Sequence, residues 1–252
     1  QVDAFICASE CIRQMLIADG VEPERAVTVH EGVDIEHVDA APPADVHAAF
    51  WLPHGAPIVG NIAALVPHKG QRYLVEAAGL VVRRMPDVRF LILGEGELRG
   101  PLEQAVRRQQ LERHVIFAGF RPDAISLLKG FDLFVMSSVT EGLGTSLLDA
   151  MAAWRPVVAT RTGGIPEVVV DGETGLLVPP RDPRALAEAI IRLLGDEALR
   201  HTFGRAGRQR VERHFSAERM VAATLAVYES LAGRNRGADT PGRQPPGRTR
   251  TG

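Results

Sequence analysis

Short apolar runs recur along this chain, and a stretch of helical periodicity follows almost every one. The runs are Phe5-Ile6-Cys7, Val27-Thr28-Val29-His30, Ile58-Val59-Gly60-Asn61-Ile62, Arg89 to Leu93, Val115-Ile116-Phe117, Leu133-Phe134-Val135 and Val157-Val158-Ala159. Helical stretches lie at about 70–84, 98–110, 123–129 and 145–153, and Ser9, a good N-cap, opens another. A strand that is apolar at successive rather than alternate positions is buried on both faces. With helices between them, such strands predict a parallel sheet inside an α/β sandwich of Rossmann-like type. Glu31-Gly32-Val33-Asp34 reads as a turn-like connector, and residues 40–44, with Pro42 and Pro43, as a break. C-terminal helices close the pattern: residues 182–194 and 197–231 carry three segments, with Pro183 in a first turn behind Asp182 as cap.

From Gly233 onward the chain holds Gly, Pro and Arg with no large apolar residue, too little to offset chain entropy, so residues 233–252 are expected to form a disordered tail. The tail's arginines leave peripheral contact with the inner face of a membrane open. A length of 252 residues allows one large domain plus part of another. A net charge of −2 supplies no global basic field for nucleic acid. No apolar run reaches the ~18 residues of a spanning helix. Cys7 and Cys11 read as thiols in a reducing, cytoplasmic setting. The sequence enters an apolar run directly after Gln1, and on that ground its start is expected to be missing.

The stretch richest in chemistry is Ser137-Ser138-Val139-Thr140-Glu141-Gly142-Leu143-Gly144-Thr145-Ser146-Leu147-Leu148-Asp149-Ala150-Met151-Ala152, directly after a strand. In an open α/β sheet, ligands bind beyond the carboxyl ends of the strands. Gly142 and Gly144, with Leu143 between them, let backbone approach a ligand, and a helix starting near Thr145 offers unpaired N–H groups to an anion such as phosphate. Asp149 lies four residues after Thr145, on the same face. Aimed at a phosphate, Glu141 and Asp149 would repel it. They make better sense as acceptors for hydroxyls on either side, one for a sugar and one for a ribose.

A second loop, Gly60-Asn61-Ile62-Ala63-Ala64-Leu65-Val66-Pro67-His68-Lys69-Gly70, also joins a strand to a helix. Gly60 and Asn61 fall at its ligand-facing start. Lys69 stands at the helix N-terminus, where a cation opposes the dipole, and a bound anion would explain it. Gly94-Glu95-Gly96 and Gly119-Phe120-Arg121 put two further loops at the same sheet edge, and Phe120 and Arg121 could hold a base by stacking and backbone bonds. Thr162-Gly163-Gly164-Ile165-Pro166-Glu167 and Asp171-Gly172-Glu173-Thr174-Gly175 read as turns that place a short helix nearby.

In this order, and across about residues 3 to 230, these motifs resemble the GT4-like glycosyltransferases, the glycosyl transferases group 1 domain. The resemblance implies the C-terminal half of a GT-B fold. Residues 1–34 would be a remnant of the N-terminal acceptor domain with its linker, and 35–232 the donor domain. It implies a retaining transfer of sugar from a nucleotide-sugar to an unknown sugar, lipid or small-molecule acceptor. Lys69 would hold the diphosphate, Glu141 the sugar hydroxyls and Asp149 the ribose. Two departures stand out: the second acid is Asp149 rather than the usual Glu, and Ala64 stands where the family often has an arginine, which leaves the diphosphate charge to Lys69 and the helix terminus, alone or with Arg72. No Asp-x-Asp pair occurs, so no metal or other cofactor is required. Rival readings are a GT-B-type epimerase and a non-catalytic nucleotide-sugar-binding module.

Overall fold

A computed structural model describes residues 2–238, with side-chain surroundings through Gly233. The chain opens with β1 (Phe5–Cys7), α1 (Glu10–Ala18) and β2 (Ala26–Thr28). β1 and β2 pair in parallel, and α1 is the crossover that such a pairing needs. These three elements pack mainly on one another. A connector then meets the far end of the chain: the Val33 amide donates to the Phe215 carbonyl at 2.9 Å and the Ala217 amide to the Val33 carbonyl at 3.0 Å.

Two short helices follow, α2 (Ile35–Ala40) and α3 (Val46–Ala49), where the sequence suggested only a connector and a break. Each is started by an aspartate cap: Asp34 accepts from the His37 amide at 2.8 Å, and Asp45 from the Ala48 amide at 3.0 Å. Helices of one turn are too short to show periodicity, and the predicted Pro42–Pro43 break falls between them. Arg208 holds α2 in place, reaching both carboxylate oxygens of Asp39 at 2.6 and 2.7 Å and the Ala152 carbonyl at 2.7 Å.

The main body is a six-stranded parallel sheet in the order β5-β4-β3-β6-β7-β8. Its strands are β3 (Ile58–Ile62), β4 (Arg89–Leu93), β5 (Val115–Gly119), β6 (Leu133–Met136), β7 (Val157–Thr160) and β8 (Gly175–Val178). Between them run α4 (Gln71–Arg84), α5 (Arg99–Arg108), α6 (Ala124–Leu128), α7 (Thr145–Ala152) and α8 (Ile165–Val168), and after them α9 (Pro183–Leu194), α10 (Glu197–His214) and α11 (Ala217–Ala238). Successive strand residues enter opposite cores. Ile58, Leu91, Phe134 and Val157 pack with α6, α7 and α8, whereas Val59, Phe90, Val135 and Val158 pack with α4, α5 and α9. Both faces are therefore covered, as the unbroken apolar runs predict. Each such Leu, Ile, Phe or Val contributes about 1.5–3 kcal/mol by burial.

β8 was not expected as a strand, because the turn-forming Asp171–Gly175 segment masks its start. It pairs with β7 from Val157–Gly175 to Thr160–Val178. α11 continues through Gly233, where the tail was expected to begin, and is described as far as Ala238. A helix already formed propagates at little cost into polar residues. The remainder of the expected tail, 239–252, lies outside the described residues.

Gly60 is required by packing. A Cβ there would lie 2.0 Å from the ring of Phe131, which is itself fully buried. Gly60→Ala should therefore cost about 1–3 kcal/mol or more in urea unfolding, with a smaller cost in a Phe131→Leu background. Equal costs in both backgrounds would place the strain elsewhere.

Candidate active site

The sheet changes winding direction between β3 and β6. From β3 the chain steps through β4 to β5, then returns to the other side of β3 and steps outward through β6, β7 and β8. Right-handed crossovers in the two directions put α4 and α5 on one face and α6, α7 and α8 on the other. The loops after β3 and β6 thus part in opposite directions and leave a crevice at the carboxyl edge, the general ligand position of such sheets.

Lys69 and Glu141 face one another across this crevice. The Lys69 ammonium donates to Glu141 Oε2 at 2.6 Å, and Ser138 Oγ donates to the same oxygen at 3.0 Å. The His68 carbonyl accepts from the amides of Val139 at 2.7 Å and Thr140 at 3.4 Å, while Ser137 Oγ donates to the Lys69 carbonyl at 3.2 Å. The two loops are sewn together, so the ion pair sits in a fixed frame. The cation that is awkward at a helix start is answered here by Glu141. His68 contributes its carbonyl and leaves its ring exposed.

Helices on both sides of the crevice begin without a side-chain cap. α1, α2, α3, α9 and α10 are capped by Ser9, Asp34, Asp45, Asp182 and Asp196. In contrast, α4 starts on Gly70 and α7 on Gly144, both in the left-handed region and with no side-chain cap among the described residues, and α5, α6 and α8 likewise lack one. Uncapped first-turn N–H groups are donors available to an anion. Gly142 is half-buried and Thr145 exposed, beside this helix start. Leu143 is buried in the core, so only its backbone is available to a ligand.

One strand further along, a cleft of about 360 Å³ is lined by Ile62, Ala63, Ala64, Leu93, Gly94, Glu95, Phe120, Arg121 and Ala124. It gathers Gly94, Phe120 and Arg121, expected as neighbours from the sequence. Phe120 is 76% exposed, its ring free to stack. Arg121 is held by Asp123 at 2.7 and 2.6 Å and lies over the Phe50 ring. Gly96 approaches the loop after β3, where a Cβ would come 2.4 Å from the Leu65 carbonyl oxygen.

Three expectations change. Gly60 faces Phe131 inside the sheet. Asn61 is buried, and its amide donates to the Val135 carbonyl at 2.8 Å, bracing β3 against β6. Both stand at a strand's carboxyl end, but the pleat turns them into the protein. Arg72 lies exposed on α4, over the Tyr73 ring and 3.9 Å from Glu76, and makes no ion pair with the Lys69–Glu141 couple. Thr160 carries no role in the sequence pattern and Thr162 only that of opening a turn. Their hydroxyls donate to the carbonyls of Ser138 at 2.6 Å and Val139 at 2.9 Å, fixing the Glu141 loop from β7. Their only sequence signal is a threonine at the end of a strand.

Residues 56–196 match the family described as Glycosyl transferases group 1, and the chain belongs to that family. An uncharacterized glycosyltransferase of Methanocaldococcus jannaschii is 31% identical over 232 residues, 91% of this chain and 60% of that protein. The crystal structure of Anabaena HepE, in complex with UDP and glucose, superposes with a TM-score of 0.82 at 25% identity, over 92% of this chain and 63% of that one. The C-terminal domain of a glycosyl transferase group 1 family protein from Francisella tularensis gives a TM-score of 0.64 at 30% identity, over 73% of this chain and 99% of that domain. This chain therefore spans 60% of the Methanocaldococcus protein and 63% of HepE.

Asp149 sits one turn into α7, with α2 packed against that helix. Burial is the main influence on it and pushes its pKa from 3.8 up to about 6; His37 on α2 opposes the shift. Between these two values the folded chain binds more protons at Asp149 than the unfolded chain does. Stability therefore falls as pH rises through that window, by on the order of 2–3 kcal/mol at completion. Asp149→Asn should stabilise the chain at pH 7.5 by about 1–3 kcal/mol and have little effect near pH 4. Thermal unfolding across that pH range measures the difference; a gap that does not grow with pH would contradict the burial account.

Proposed function

We propose that this chain is the donor-binding half of a retaining glycosyltransferase that transfers a sugar from a nucleotide-sugar to a sugar, lipid or small-molecule acceptor. The observation that carries the proposal is the Lys69–Glu141 pair, fixed at the switch point beside two uncapped helix starts. HepE, with UDP and glucose bound, supports a uridine nucleotide-sugar as donor class. In this reading Lys69 and the amides near Gly144 and Thr145 meet the diphosphate. Glu141 takes the sugar hydroxyls, Asp149 the ribose, and the Phe120–Arg121 cleft the base. As the anomeric C–O bond breaks, negative charge grows on the leaving diphosphate, and preorganised donors stabilise it most in the transition state.

Residues 1–34 belong, in this proposal, with the acceptor-side half. The chain spans 60% of the Methanocaldococcus relative and 99% of a solved C-terminal domain, which supports the assignment. Exposed apolar side chains support it too: Ile6 and Met15 on the first segment, and Val221, Leu225 and Tyr228 along α11. Exposed apolar side chains that form a contiguous patch commonly mark a contact surface. No described helix is long and apolar enough to cross a membrane.

Calorimetry with UDP and UDP-glucose tests the donor site. Lys69→Ala removes a cation and leaves the Glu141 carboxylate unneutralised beside the diphosphate. It should weaken UDP binding by about 1.5–3 kcal/mol. Glu141→Ala frees Lys69, so UDP binding should hold or tighten while the added affinity for UDP-glucose is lost. The double variant should recover part of the Lys69→Ala loss, because the two residues are coupled. UDP binding indifferent to Lys69→Ala would contradict the proposal.

A further inference from the structure

Glu167 has no part in the site described so far. It lies on α8, yet its carboxylate reaches out of the main body to the start of α1. Oε2 accepts from the Glu10 amide at 2.8 Å and Oε1 from the Cys11 amide at 2.9 Å. His30 Nε2 is 2.7 Å from Oε2. A helix start leaves its first N–H groups without intrahelical partners. The local chain satisfies one of these in α1, since Ser9 Oγ accepts from the Ile12 amide at 3.1 Å. Two others are met by a carboxylate 157 and 156 residues away in sequence. A negative charge at the positive end of a helix, accepting two amide bonds, makes a strong and directional contact.

The other end of the same short segment touches the candidate active site. Gly163 and Gly164, which lead into α8, lie against the Glu141–Gly142 loop, and the Gly164 amide donates to the Glu141 carbonyl at 3.2 Å. A Cβ at Gly163 would fall 1.7 Å from the Glu141 carbonyl oxygen. One at Gly164 would fall 2.2 Å from the Gly142 carbonyl oxygen and 2.8 Å from the Ser9 Cβ, so Gly164 is held between the site loop and the cap of α1. Main-chain carbonyls of Glu167 and Val168 are in turn fixed by Arg210, each at 2.7 Å. From the first turn of α1 to Glu141, the contacts run without slack.

We propose that Glu167 is a positioning residue that sets the first segment of the chain, through α1, at a fixed distance from the Glu141–Gly142 loop. The inference rests on the donor-site reading above. A transfer enzyme must hold two reactants at reacting distance, and small displacements cost rate. Glu167 is placed to transmit the state of the donor loop to the acceptor-side segment.

Amide hydrogen exchange on the 252-residue chain, with and without UDP, tests this, with calorimetry of UDP binding alongside. In Glu167→Ala the Glu10 and Cys11 amides should exchange about tenfold faster or more while the β6 amides hold their protection. UDP affinity should stay within about twofold of the parent, since Glu167 touches no proposed donor group. In the parent chain, UDP should slow exchange at those two amides; Glu167→Ala should abolish that response and Glu167→Gln, which keeps one acceptor oxygen, should restore part of it. Should the alanine variant fail to fold, the glutamine variant carries the same comparison. Unchanged exchange at Glu10 and Cys11, or a UDP response that survives in Glu167→Ala, would overturn the proposal. Faster exchange with no UDP response in a parent chain that does bind UDP would reduce Glu167 to a helix cap. Absence of UDP binding in the parent would sink the donor-site reading itself, and the positioning role with it.

Discussion

A parallel sheet that winds first one way and then the other must open where the two windings part, and in this chain the opening falls between β3 and β6. Strand order alone brings Lys69, from the loop after β3, to Glu141, from the loop after β6, although 72 positions separate them. The carbonyl of His68 and the hydroxyls of Ser137, Thr160 and Thr162 then fix the loops that carry the pair. Little reorganisation is left for a ligand to drive, which is the condition under which fixed charges and dipoles act most strongly on a reacting group.

The crevice is maintained against local stability. Among the described residues the five helices α4 to α8, which start at the carboxyl edge of the sheet, lack the side-chain caps that α1, α2, α3, α9 and α10 possess, each such cap contributing about 0.5–2 kcal/mol. Asp149 keeps a carboxylate in a place where burial pushes its pKa up to about 6. Departures from local consistency that cluster at one sheet edge mark a functional site better than any one of them alone. Glu167 is the opposite case: it satisfies amides that would otherwise be orphaned, and in doing so joins two parts of the chain that share few other contacts.

Much of this was legible in the sequence. Apolar runs such as Leu133–Met136 and Val157–Ala159 disclose a parallel sheet because burial on both faces leaves no polar position along the strand. Lys69, Glu141 and the Gly142–Thr145 loop stood out because each follows such a run and precedes a helix. Other features lie beyond local pattern. Gly60 and Asn61 occupy the same kind of strand end as true loop residues, and only the pleat turns them toward Phe131 and Val135. α2 and α3 are too short to be periodic, and β8 hides behind its turn. Glu167 reads as an ordinary helix acid, since its partners lie more than 130 residues away.

In the proposed reading the carboxyl edge of the sheet, around the switch point, binds a nucleoside diphosphate. Backbone amide chemical-shift mapping during a UDP titration tests it most directly. Perturbed amides should group in the loops at 63–71, 94–97, 119–122 and 139–146, with the strand starts near 57, 88 and 114 unmoved. Perturbations centred on those strand starts, or none at a UDP concentration that saturates known relatives, would contradict it.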